Sequence, residues 1–174
     1  MTQGDVQRFE RVVLPHLDDA YTLARYLLRD EHDAQDAVQE AALRAFRYFD
    51  GYSGGDARAW LLAIVRNCAL NSRRRNRVEE QTVSFTDAID VSADGVPGAD
   101  AAAIQASERA RVNRAVNELP VEFREVVVLR ELQDLNYKEI GDVLGVPIGT
   151  VMSRLARARR RLATLLGADV REAS

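Results

Sequence analysis

Apolar residues recur at steps of three and four along most of the chain, the spacing of one face of an α-helix. Phe9, Val13, Leu17, Ala20, Ala24 and Leu27 form one such stripe over 5–29, with Pro15 placed to bend or restart the helix. Val38, Ala42, Ala45 and Phe49 form a second over 33–49. The turn GYSGGD then interrupts the pattern, and its Asp56 is positioned to cap a third helix over 57–75. That helix directs Leu61, Ile64 or Val65, and Cys68 to its apolar side. From 77 to about 103 the period fails in a stretch rich in Gly, Ser, Asp and Pro, which reads as a linker. Helices resume at 106–117 and, opened by Pro120, at 121–133. The chain then runs through YKEIGDVLGVPIGTVMSRLARARRR, residues 137–161, a helix, a glycine turn and a second helix. The expected fold is all-α: two small helical domains, 1–76 and 106–170, joined by a flexible acidic linker over 77–105. Some 30 linker residues span up to ~100 Å when extended.

Charge changes the picture more than composition does. The chain has 174 residues, 47% of them hydrophobic and 29% charged, with a net charge of −3. These values fit a globular protein and exclude a disordered one. No apolar run approaches the ~20 residues of a membrane span, so no membrane insertion is expected. The opening MTQGDVQRFERVV lacks the basic and apolar regions of a secretory signal, and the single cysteine, Cys68, fits a reducing cytoplasm. His16 and His32 are too few and too far apart for a zinc site. Neither a metal nor another cofactor is expected. The net charge conceals strong segregation. Segments 66–77 and 154–161 each hold five arginines and no acid, whereas 30–40 holds five carboxylates and no base. Segment 78–107 holds six more acids and no base, so the net charge averages over two basic patches and two acidic ones and hides the partners.

The last of these segments has the form of a DNA reader. Ile140, Val143 and Leu144 face inward, Gly145 supplies the residue able to turn with positive φ, and Val146 packs at the corner. The second helix buries Val151, Leu155, Ala158 and Leu162. Its other face presents Thr150, Ser153, Arg154 and Arg157 near the N-terminal end, the part that enters a major groove. Arginine pairs bidentately with guanine edges, and Ser or Thr serves bases or phosphates. Arg159, Arg160 and Arg161 come later, toward phosphate or solvent.

Three stretches, in order, resemble one family. LPVEFREVVVLRELQDLNYKEIGDVLGVPIGTVMSRLARARRRL is similar to the fourth conserved region of bacterial sigma factors of the extracytoplasmic-function (ECF) group. DAQDAVQEAALRAFRYF resembles the second region, and ARAWLLAIVRNCALNSRRR the helix that follows it. The resemblance implies a protein that binds core RNA polymerase and directs promoter-specific initiation from the cytoplasm, without enzymatic activity of its own. It implies docking on the β′ clamp helices through Asp36, Gln39 and Glu40, with Arg44 and Arg47 nearby, and a second contact with the β flap. It further implies capture of the melted minus-ten element by Arg66, Asn67, Asn71, Arg73 and Arg74. Asn67, Asn71 and Arg74 share one helical face, amides suiting the edges of unpaired bases and arginine the flanking phosphates. Tyr48, Tyr52 and Trp60 are possible stacking partners near the loop at 50–56, Trp60 being better suited to the core. The duplex minus-thirty-five element falls to Lys138, Gly149, Thr150, Ser153, Arg154, Arg157 and Arg161. An anti-sigma factor is the implied regulator.

The chain departs from the family pattern in three places. Met152 stands where Lys or Arg is frequent, and Ala37 where a larger apolar residue is common. Gly141 replaces a usual Ala, at up to ~1 kcal/mol of helix propensity. Two rival readings remain. A stand-alone dimeric regulator would need a dimerisation element, and only GADVREAS follows Leu166. A protein-interaction module that mimics a sigma factor would not need the arginine face.

Overall fold

The computed structural model describes residues 2–82 and 100–172 and is helical throughout that range. Helix α1 (Gln3–Val13) is closed by a 3₁₀ turn at Leu14–His16, and α2 (Leu17–Leu28) restarts from it. Pro15 therefore separates two helices, because it cannot donate the backbone hydrogen bond that would continue one. Helices α3 (Glu31–Arg47) and α4 (Ala57–Thr82) complete the first half. The second half comprises α5 (Asp100–Glu118), α6 (Val121–Val127), α7 (Tyr137–Leu144) and α8 (Ile148–Glu172). Helix α6 continues through one wider, π-helical turn at Val128–Leu132.

The helices flanking the expected linker extend into it. The sequence pattern stops at 76 and resumes at 106, whereas α4 runs to Thr82 and α5 begins at Asp100. Charged, solvent-facing residues such as Arg77, Glu79 and Glu80 sustain a helix without any apolar stripe, and Ala101–Ala103 are the strongest helix formers. The centre of the expected linker, 83–99, lies outside the described residues.

Helix α3 buries a different face from the one the larger residues suggest. Its inner stripe is Ala34, Ala37, Ala41 and Ala45, while Val38 and Ala42 are half-exposed. Alanines let α3 lie close against α2 and α4. Asp30 caps it by accepting from the Asp33 amide at 2.8 Å, and Asn76 of α4 donates to the Asp33 carboxylate at 2.9 Å. Helix α4 contributes Leu61, Leu62, Val65, Cys68 and Ala69 to the same core, and burial pushes the Cys68 thiol pKa up.

The two halves do not stand apart. Helix α4 packs on α7 and α2 on α6, and a single buried cluster runs from Phe9 and Leu23 through Leu62 to Val126, Ile140 and Leu155. The linker thus connects two units that already share a seam.

Candidate nucleic-acid interface

In the second half a tight turn joins α7 to α8. Asn136 caps α7 by accepting from the Glu139 amide at 2.8 Å, while its own amide group donates to the Glu139 carboxylate, satisfying two groups reciprocally. Gly145 ends the helix at φ 67°, the left-handed conformation expected of it. The chain then folds back so closely that the Val146 amide donates to the Gly141 carbonyl at 3.1 Å. A Cβ on Gly141 would lie 2.9 Å from the Val146 carbonyl oxygen. Gly141 is therefore required by the turn, where helix propensity alone reads it as a small loss. Alanine in its place would push α7 away from the turn that orients α8.

Helix α8 buries Val151, Leu155 and Ala158, as its spacing predicts, and half-buries Leu162. Gly149, Ser153 and Arg157 are exposed on its outer face, Thr150 and Arg154 are half-exposed, and Lys138 projects from α7 to solvent. The later arginines are engaged elsewhere. Arg159 pairs with Glu131 at 2.7 Å, and that bond raises its pKa. Arg161 shares a helical face with Arg154 and Arg157, but its guanidinium lies over the Phe123 ring, 5.2 Å from the centroid. Arg160 and Arg161 also line a cavity of about 370 Å³ against Leu119, Pro120 and Leu165.

Helix α4 divides its polar residues between two faces. Asn67, Asn71 and Arg74 are exposed together, as their spacing predicts. Arg66 and Arg73, seven positions apart, are instead half-buried on another face. Arg66 forms a two-pronged bond to Glu125, Nε to Oε2 at 2.8 Å and a terminal nitrogen to Oε1 at 3.2 Å. Arg73 has a lowered pKa, first from burial and then from Arg77 and Arg29. At the entrance to α4, the Asp56 carboxylate accepts from the Ala59 amide at 3.1 Å. Beside that cap, Tyr52 and Trp60 pack 4.9 Å apart against Phe49, which also meets Phe9. Trp60 and Tyr52 thus belong to an aromatic core, and only Tyr48 of the three candidates is exposed, at 63%.

On α3, Asp36, Gln39 and Arg47 are exposed on the side opposite the alanine stripe. Glu40 is held by Arg44 at 2.5 Å and approached by Arg75 at 3.8 Å. Asp36, Glu40, Arg75 and Glu79 line a cleft of about 300 Å³ between α3 and α4. Leu43, 62% exposed, lies at the centre of this charged face. Sequence reasoning passed over Leu43 because one leucine in a helix defaults to the core. Its spacing from Asp36, Gln39 and Arg47 was the available clue. No group of three or more potential metal ligands occurs among the described residues, and no helix there is long and apolar enough to cross a membrane.

Comparison with known proteins matches both halves. Residues 12–79 match the family Sigma-70 region 2, and residues 109–162 match Sigma-70, region 4. The chain is 38% identical over 165 residues to the ECF RNA polymerase sigma factor SigM of Mycobacterium tuberculosis, covering 94% of this chain and 80% of that protein. It is 36% identical to the ECF sigma factor SigE of Mycolicibacterium smegmatis, covering 92% of this chain but 62% of the longer relative. Among solved structures it resembles the sigma factor RpoE bound to the anti-sigma factor NepR from Bartonella quintana. That match has a TM-score of 0.76 at 26% identity, covering 94% of this chain and 99% of the other. It also resembles CnrH bound to the cytosolic domain of CnrY, with a TM-score of 0.67 at 28% identity, covering 94% and 90%. With both regions matched in order, and a relative 38% identical over 80% of its own length, the chain belongs to the ECF group of the sigma-70 family of RNA polymerase sigma factors.

Proposed function

We propose that this sigma factor joins core RNA polymerase through α3 and divides promoter reading between α4 and α8. The observation that carries the reading is the presence of two separate exposed faces of different chemistry. On α4, Asn67, Asn71 and Arg74 offer amides and one cation, suited to unpaired bases and the adjoining phosphates of the minus-ten element. Arg66 and Arg73 extend that surface once the seam beside them is free. On α8, Gly149, Thr150, Ser153, Arg154 and Arg157 present hydroxyls and forked cations to the major groove of a duplex minus-thirty-five element, with Lys138 on a phosphate. Arg161 adds a phosphate contact if it leaves Phe123.

Core binding is assigned to Asp36, Gln39, Glu40, Arg44 and Arg47, with Leu43 as their apolar centre. The β′ clamp helices are the counterpart of this face, and the β flap that of the second half. The division into a first domain at 1–76, a linker at 77–105 and a second domain at 106–170 follows the same assignment. The protein acts in the cytoplasm and catalyses no reaction itself, and it is restrained by an anti-sigma factor, a reading supported by the NepR partner of one matched structure.

Run-off transcription with purified core polymerase and a genomic fragment library tests the reading. Promoter-dependent transcripts are expected, and charge reversal at Glu40 should weaken core binding on the order of tenfold or more while helicity is retained. Absence of both co-elution with core and any transcript would refute it.

A further inference from the structure

We infer that Met152, seated beside Ile148, is a specificity-determining residue of α8 that reads the C5 methyl of a pyrimidine in the major groove, the methyl of thymine in unmodified DNA. The inference rests on the assignment of α8 to the duplex minus-thirty-five element.

The first two turns of α8 expose an apolar pair. Met152 is 53% exposed and Ile148 46%. Four positions apart, they stand one above the other along one flank of the helix. Val151 and Leu155 are buried and fix the rotation of α8, so that Met152 and Ser153 between them project outward together. Gly149, one turn before Met152, is exposed, and nothing lies within 4 Å of the place a Cβ would take. That bare backbone leaves room for a base edge beside the thioether. By helical spacing Arg154 and Arg157 lie round the helix from this pair. Arg159, seven positions after Met152, is already paired with Glu131 at 2.7 Å and does not stand in for a cation at 152. The outer face is thus split lengthwise into a cationic flank and an apolar one.

An apolar side chain recognises few things in a major groove. Every base edge there offers donors or acceptors, and the one apolar group is the C5 methyl of thymine. A thioether gains by covering that methyl, and its unbranched chain adjusts to the exact position. Cytosine lacks the methyl and sets an amino donor beside the vacant place, which Met152 would cover without giving it an acceptor. A single exposed apolar residue is ordinary on a protein surface. Two of them stacked at the end of the helix that enters the groove, beside an uncovered glycine backbone, match the methyl in both chemistry and place.

The test uses the full chain in complex with core polymerase, on a promoter recovered from the fragment library, at one fixed salt concentration. Each thymine of the minus-thirty-five element is replaced in turn by uracil, which removes the methyl and keeps the pairing. One position should lose about fourfold in affinity, the effect of exposing one methyl-sized group. Met152→Ala should be weakened by a similar factor on the thymine promoter and be indifferent to uracil at that position alone. Cytosine placed there should bind poorly to the wild type, and 5-methylcytosine should recover part of the loss in the wild type but not in Met152→Ala. Met152→Arg should move the preference at that position toward guanine. Uracil tolerated at every thymine, or a uracil penalty that survives Met152→Ala, overturns the inference, the second result passing the methyl to another side chain such as Thr150. If Arg157→Ala still relaxes upstream specificity in that case, only the role of Met152 falls. If Arg157→Ala and Met152→Ala both leave upstream preference unchanged, the assignment of α8 to duplex DNA falls and the inference with it.

Discussion

Helices α4 and α8 each carry five arginines within a dozen residues or fewer and no acid among them, yet the fold uses those charges differently. Helix α8 packs on α5, α6 and α7 and keeps one face to solvent. Arg154 and Arg157 sit on its outer face at the N-terminal end, and Arg159 and Arg161 are tied back to Glu131 and Phe123. Helix α4 runs through the middle of the molecule. One of its faces carries Asn67, Asn71 and Arg74 into solvent, and the other commits Arg66 to a buried carboxylate. A basic run in sequence thus states how much charge is present. Its availability depends on which faces of the helix the neighbouring helices cover.

The sharpest way to break this comparison is to delete one arginine from each helix. Arg66→Ala strands the buried Glu125 carboxylate and should cost the packed state about 3 kcal/mol, whereas the exposed Arg157→Ala should change stability by no more than ~0.5 kcal/mol. Urea unfolding of the two variants measures the difference, and equal midpoints would erase it. Binding should separate the helices in a second way. Arg154→Ala should lose roughly 2 kcal/mol on duplex minus-thirty-five DNA and relax preference at one position. Asn67→Ala should leave that duplex affinity intact and impair open-complex formation, and a promoter already melted at the minus-ten element should not rescue it. A shared defect on upstream duplex would merge the two faces into one basic surface.

Much of the second half was legible because its constraints are local. Gly145, the apolar spacing of α7 and α8, and the exposed Ser153 and Arg157 all lie within a few residues of one another, and periodicity reports such patterns directly. The first half was harder to read. The inner face of α3 is made of alanines, which carry little hydrophobic contrast, so the stripe read through Val38 and Ala42 lies beside the most buried line and shares only Ala45 with it. The seam was not legible at all. Arg66 and Glu125 are far apart in sequence, and nothing near either residue announces the other. Gly141 shows a third kind of blindness, since its meaning depends on a carbonyl in the next turn and not on its own helix.

Two smaller effects sharpen the account of α8. Gly141→Ala should destabilise the protein by about 1 kcal/mol, the contact with Val146 outweighing the gain in helix propensity. Thermal unfolding checks this, and stabilisation would mean that the turn yields easily. Arg161→Ala should cost only ~0.5 kcal/mol through the lost contact with Phe123. Its effect on duplex affinity should be smaller than that of Arg157→Ala in a filter-binding or anisotropy titration. The reverse order would move Arg161 into the groove-facing set.

The alanine stripe of α3 has a mechanical consequence. Ala34, Ala37, Ala41 and Ala45 have no rotatable side chains, so little can deform between α3 and the helices beneath it. A load applied to the outer carboxylates would therefore pass into α4 as displacement of a stiff strut, without being absorbed by side-chain rearrangement. If polymerase docks on α3 as proposed, its grip would in the same motion aim the Asn67 and Asn71 amides assigned to the unpaired bases.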